Sequence, residues 1–183
     1  MLMRIITGTA RGRRLVTPEG LDVRPTPEKV KEALFSALQF DIEGRRVLDL
    51  FAGSGQLGIE ALSRGAKSAT FVDSSPVSIR TVEKNLDTAG LKENARVIKT
   101  DYSTFCASSN ETFDIVFLDP PYDKGLLLPA FKAVLPLMSD YGTIICEHPP
   151  YIEVPEEIGG FCVSRTYRYG KIHVTVYRKG ENI

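Results

Sequence analysis

The chain has 183 residues, 43% of them apolar and 25% charged, and 23 basic groups balance 23 acidic ones. That is the make-up of one globular domain, and it excludes a disordered tail, a collagen-like repeat or a wholly basic chromatin-type protein. No apolar run is long enough for a membrane span or a signal peptide, and Cys106, Cys146 and Cys162 form no disulfide or zinc pattern, so a cytoplasmic protein without metal is expected. The zero net charge is unevenly built. Residues 1–31 carry +4, residues 32–159 carry −8 and residues 160–183 carry +4, a division that hints at an anionic partner.

In chain order, residues 4–8 and 13–16 read as two short strands of a hairpin around Gly12. Thr26 suits a helix N-cap and Pro27 the first helical position. Val30, Ala33, Leu34, Ala37 and Leu38 then give an apolar helix face. From Arg46 onward strands and helices alternate. Strands are predicted at 47–51, 69–72, 96–99, 114–118 and 143–146, with helices at about 57–64, from Ser75–Pro76 to Ala89, and at about 126–138. Residues 161–168 and 171–178 close the chain as an antiparallel pair around Gly170, in which Tyr167 and Tyr169 are expected on opposite faces. The pattern is that of an α/β fold with a mainly parallel sheet.

Gly53-Ser54-Gly55-Gln56-Leu57-Gly58 joins the first of these strands to its helix. Glycines there let a ligand approach the backbone, and the helix start offers free N–H groups. Asp73 ends the next strand, where a carboxylate can accept the hydroxyls of a ribose. NAD would fit this much. Asp49, however, would repel a pyrophosphate, whereas it suits S-adenosylmethionine, which carries an ammonium and a sulfonium and no phosphate. Asp101, at the end of the third strand, could accept from an adenine amino group or could equally cap the helix beginning at Tyr102.

Asp119-Pro120-Pro121-Tyr122 follows the fourth strand directly and is the most specific signal in the chain. Two prolines make a stiff arch with Asp119 and Tyr122 at its ends. Ligands on open α/β sheets bind beyond the carboxyl ends of the strands, which puts the arch beside the glycine-rich turn. The chemistry suits methylation of an exocyclic amine. Asp119 and the Pro120 carbonyl can each accept an amino hydrogen, and Tyr122 can stack on the base.

Together, Asp49-Leu50-Phe51-Ala52-Gly53-Ser54-Gly55 and Asp119-Pro120-Pro121-Tyr122 resemble the class I S-adenosylmethionine-dependent amino-methyltransferases. More narrowly, Arg11-Gly12-Arg13-Arg14-Leu15, Arg24-Pro25-Thr26, residues 58–66, Glu147-His148 and Arg168-Tyr169-Gly170 resemble the RsmD family nearly end to end. The resemblance implies a Rossmann-like class I methyltransferase fold with a seven-stranded, mainly parallel sheet, an antiparallel C-terminal strand and a small N-terminal β-hairpin. It implies a single domain, with residues 1–25 as a hairpin extension contacting RNA and 26–183 as the catalytic core. The implied activity is methylation of the 2-amino group of one guanine, the 966-type position, in 16S ribosomal RNA. The implied substrate is a partly or fully assembled small subunit, and the enzyme is expected to be a monomer.

On this reading Asp119, Pro120, Pro121 and Tyr122 are catalytic. Arg24, Thr26, Asp49, Phe51, Gly53, Gly55, Asp73, Asp101 and Tyr102 hold the cofactor. Arg11, Arg13, Arg14 and Arg168 contact RNA phosphates, and isolated His148 and His173 are structural. The alternatives are an amino-methyltransferase for adenine in RNA or DNA, an NAD-dependent oxidoreductase resting on the glycine-rich turn and Asp73 alone, and a non-catalytic RNA-binding assembly factor.

Overall fold

The computed structural model describes residues 3–20 and 26–180. The hairpin is β1 (Met3–Arg4) and β2 (Arg14–Leu15), shorter than the sequence suggests. It is followed by α1 (Glu28–Ala37), β3 (Arg46–Asp49), α2 (Gln56–Ser63), β4 (Ser68–Asp73), α3 (Pro76–Ala89) and β5 (Ala95–Lys99). The second half contains α4 (Tyr102–Ser108), β6 (Phe113–Leu118), α5 (Leu127–Val134), β7 (Met138–His148), β8 (Glu157–Ile158), β9 (Phe161–Tyr169) and β10 (Ile172–Lys179).

The main sheet runs β5-β4-β3-β6-β7-β10-β9-β8. The first five strands are parallel, and β10 is antiparallel to both of its neighbours. Among the described residues the sheet thus has eight strands instead of seven. The extra one, β8, is a two-residue edge strand paired with β9, too short for any alternation of side chains to reveal it. Along the central strands Val47, Phe71, Ile115, Phe117 and Ile145 pack towards α1, α2 and α3. The alternate residues Leu48, Val72, Val116, Leu118 and Ile144 pack towards α4 and α5. Helices on both faces of a parallel sheet require such strands to be apolar throughout.

Several local expectations change. The buried face of α1 is Val30, Lys31, Leu34 and Phe35, not the alanine side. Phe35 turns it, packing on Phe117 with ring centroids 5.8 Å apart. Thr26 does not cap α1, because Pro27 is the residue before the helix and no side chain caps it. Helix α5 stops at Val134 ahead of Pro136, and β7 starts at Met138, five residues earlier than expected. Tyr167 and Tyr169 pack against the same core, since positions two apart on a strand share a face. Ser75 and Pro76 do open α3, the Ser75 hydroxyl accepting from Ser78 N–H at 3.3 Å.

The hairpin segment is docked on the domain instead of projecting as an arm. Met3, Ile5, Ala10 and Leu15 enter the core. Glu60 of α2 accepts from the backbone N–H groups of Ile6 (2.8 Å) and Thr7 (3.0 Å) and pairs with Lys31 at 3.5 Å. Asn85 of α3 donates both to the Val16 carbonyl (2.9 Å) and to the Ser54 carbonyl in the glycine-rich turn (2.8 Å).

Candidate active site

The chain order reverses at β3, whose neighbours β4 and β6 lie on opposite sides of it. Such a switch point opens a crevice beyond the carboxyl ends of the strands. Four carboxylates gather there on adjacent strands: Asp73 ending β4, Asp49 ending β3, Asp119 just past β6 and Glu147 near the end of β7. Each stands an even number of residues from a side chain that packs on the α1–α3 face (Phe71, Val47, Phe117 and Ile145). All four therefore occupy one side of the sheet.

The glycine-rich turn is shaped by three different demands. Gly55, with φ of 76°, is the residue from which α2 starts. At Gly58 a Cβ would lie 2.4 Å from the Phe71 ring, so this glycine lets α2 lie close on β4. At Gly53 a Cβ would meet only the Phe51 carbonyl, 4.0 Å away, and the backbone is open to a ligand. Asp73 ties the turn to α3, accepting from Gly53 N–H at 2.9 Å and Ser75 N–H at 2.8 Å. Each of its oxygens keeps a lone pair for a hydroxyl.

Asp49 is 3% exposed and accepts from Gly58 N–H at 3.1 Å. Burial pushes its carboxyl up to about 7, with that N–H opposing and acidic Asp73 adding to the rise. Among the described residues no cation offsets it. Nearby Gln56 has a buried Oε1 without a hydrogen-bond partner among the described residues. Phe51 and Tyr102 meet with ring centroids 5.5 Å apart, beside the strand end that carries Asp101. A ligand with a positive charge, ribose hydroxyls and an aromatic base fits these groups.

Asp101 is the N-cap of α4. It accepts from the N–H groups of Ser103 (3.0 Å) and Thr104 (2.9 Å) and from both of their hydroxyls. Those bonds, the Ser103 hydroxyl first, hold its carboxyl well below the usual range. Arg24 lies outside the described residues.

In the tetrapeptide, Pro121 is extended (φ −53°, ψ 126°) and turns the chain into a short helical turn beginning at Tyr122. The Tyr122 hydroxyl donates to Glu147 Oε1 at 2.8 Å. Thr26, buried, donates to Glu147 Oε2 at 2.8 Å across 121 residues of sequence. Burial raises the carboxyls of both Asp119 and Glu147, and each charge disfavours the other. The two hydroxyls oppose the rise at Glu147, whereas at Asp119 the Glu147 and Asp49 charges add to it.

Glu147 was not among the residues expected to form the site. Its only sequence signal was a place in the Glu147-His148 match, and its role depends on partners at positions 26 and 122. His148 is structural as expected. Its Nδ1 donates to the Pro149 carbonyl at 3.1 Å, leaving Nε2 to accept from the Thr175 hydroxyl at 2.9 Å.

The basic residues do not converge. Arg168 pairs in register with His173, which pairs with His148, so it lies at the site end of the sheet and is exposed. Arg14 is exposed beside Arg4, which pairs with Glu28 at 2.9 Å, two residues beyond Thr26. Arg13 instead donates to the Thr88 carbonyl at 2.7 Å, in the last turn of α3. Thr88 lies three residues beyond Asn85, which holds the Ser54 carbonyl in the glycine-rich turn, and neighbouring Arg11 is exposed on the same loop.

Comparison with known proteins places the chain in a family. Residues 3–178 match the family model described as conserved hypothetical protein 95. The Bacillus subtilis protein YlbH is 42% identical over 97% of this chain and 99% of that one. Ribosomal RNA small subunit methyltransferase D of Escherichia coli K12 is 40% identical over 86% of this chain and 77% of its own length. The solved structure of the Escherichia coli protein yhhF superposes with a TM-score of 0.87 at 35% identity, covering 98% of each chain.

Proposed function

The chain belongs to the RsmD family of methyltransferases, and from that premise we propose that it methylates the 2-amino group of one guanine in small-subunit ribosomal RNA, using S-adenosylmethionine. The observation that carries the reading is the adjacency of two motifs across the β3–β6 pair, the glycine-rich turn on one strand and Asp119-Pro120-Pro121-Tyr122 on the other. S-adenosylmethionine supplies an electrophilic methyl group when bound.

The chain's own residues do the rest. Asp49 offers a buried carboxylate to a cationic group, Asp73 accepts ribose hydroxyls, and Phe51 with Tyr102 lines an apolar slot for an adenine. Thr26 borders the same cleft through its bond to Glu147, and Arg24 is read as a cofactor contact from the family motif alone. Asp119 and the Pro120 carbonyl accept the two hydrogens of the target amine, which turns the nitrogen lone pair towards the methyl carbon. Methyl transfer leaves an extra proton on that nitrogen. The Asp119 carboxylate, whose hold on a proton is strengthened by burial and by the Glu147 charge, can take it. The Tyr122 ring holds the base flat, a contact worth about 1–3 kcal/mol. The substrate on this reading is a partly or fully assembled small subunit, gripped through phosphates by Arg14, Arg168 and the more distant Arg11 and Arg13.

The test is incubation with labelled methyl donor and small subunits from a strain lacking the modification. Label on the 2-amino group of a single guanine is expected. Label confined to adenine would move the reading to the amine of that base. Asp119→Ala should abolish turnover while calorimetry finds cofactor affinity within about threefold of wild type, and full turnover in that variant would remove Asp119 from the mechanism.

A further inference from the structure

We propose that Glu147 is a positioning residue for methyl transfer, acting through the Tyr122 ring and tying it to the segment that enters α1 at Thr26; this rests on the reading of Asp119–Tyr122 as the target-base site. Glu147 follows Cys146, which pairs in register with Leu118, so Glu147 lies beside Asp119 on the neighbouring strand. It is 5% exposed, and each carboxylate oxygen takes one hydroxyl at 2.8 Å, from Tyr122 and from Thr26. A buried carboxylate is costly, and among the described residues this one has no cation beside it.

The arrangement is not needed to hold the strand. The end of β7 is fixed by its pairing with β10 and by the His148 bonds to Thr175 and Pro149. What Glu147 adds is orientation. As an acceptor-only group it makes both hydroxyls point inward. Pro121 fixes the backbone entry of Tyr122 and Glu147 fixes the far end of its ring, so the stacking face is set before a base arrives. Thr26 gives the same carboxylate a second anchor, joining the two sequence segments that border the cleft.

The experiment is a double-mutant cycle on small subunits lacking the modification, with Glu147→Ala, Tyr122→Phe and the combined variant. Cofactor affinity by calorimetry and thermal melting are followed in parallel. Glu147→Ala should lower kcat by about 10- to 100-fold with cofactor affinity unchanged. In the Tyr122→Phe background the same substitution should cost less than about threefold, because the contact it removes is already gone. Glu147→Gln, whose amide oxygen still accepts from Tyr122 and whose amino group can donate to Thr26, should keep kcat within about threefold of wild type. It also keeps the test readable if the alanine variant does not fold.

Wild-type kcat in Glu147→Ala, or losses that multiply in full in the double variant, would overturn the proposal. So would a Glu147→Gln variant as impaired as Tyr122→Phe with unchanged melting. Label appearing on a different amine would instead overturn the guanine assignment, and the cycle would be read on that amine.

Discussion

A carboxylate buried with one backbone N–H for company raises the free energy of the empty site, and Asp49 is such a group. Its shift from 3.8 to about 7 is worth at most about 4 kcal/mol. The sign follows from which state ionises first. Below 3.8 Asp49 is protonated in both states and costs little. Between 3.8 and 7 the unfolded chain ionises while the folded one does not, so stability falls as pH rises, and above 7 the loss is complete. Asp49→Asn should therefore raise the melting temperature of the ligand-free protein at pH 8 and flatten its decline between pH 4 and 7. The same substitution should weaken S-adenosylmethionine binding at least about tenfold, or 1.4 kcal/mol, by calorimetry. In the wild type that affinity should climb as pH rises through about 7. A ligand-free melting profile unchanged by Asp49→Asn would mean that the carboxylate is not strained. Glu147 has instead two hydroxyl donors, and so the two buried acids of the cleft serve different ends, one for charge and one for orientation.

At the scale of elements, α2 is the piece on which the rest depends. The loop that leads into it carries the open backbone of the ligand site at Gly53, its middle lies against Phe71, and its last turn receives the hairpin segment through Glu60 and Ser63. Gly58→Ala drives a methyl into the Phe71 ring and should destabilise by about 1–3 kcal/mol, read as a shift in the urea midpoint at constant slope. Glu60→Ala should cost more, about 3–5 kcal/mol, because Lys31 at 1% exposure loses its anion. Burial already pulls that ammonium's pKa down. If Glu60→Ala unfolds at the wild-type midpoint, the hairpin is not held from this side. The central β-α alternation and the two motifs were legible because each rests on local pattern: apolar runs, Ser75–Pro76, glycines between strand and helix. What stayed hidden was set by distance. The Thr26–Glu147 bond spans 121 residues, the face of α1 follows Phe117 on a remote strand, and the cap that Asp101 makes shows only in its bonds to Ser103 and Thr104. Strand β8 exists through pairing alone.

For the molecule as a whole, the structure redraws the basic-acidic-basic division of the chain. Asp49, Asp73, Asp119 and Glu147 concentrate part of the central negative charge at one end of the sheet. The basic C-terminal residues split, since Arg178 pairs with Asp41 (2.6 Å) and Lys179 with Asp140 (2.9 Å) beyond the opposite end, while Arg168 stays exposed near His148 and the cleft. Arg13 is likewise drawn to the Thr88 carbonyl. A phosphate contact releases counterions and contributes about one unit to the slope of log affinity against log salt. Removing Arg14 and Arg168 together should therefore lower that slope by up to about 2 and leave cofactor affinity untouched. Replacing Arg178 and Lys179, paired and remote, should leave the slope alone. Arg11→Ala measures the length of the footprint: a further drop of about 1 means that RNA runs down the α2–α3 flank to the hairpin loop, and no drop confines it to the rim of the cleft. A slope indifferent to Arg14 and Arg168 would refute phosphate recognition at this rim and leave the particle to be recognised through its other surfaces.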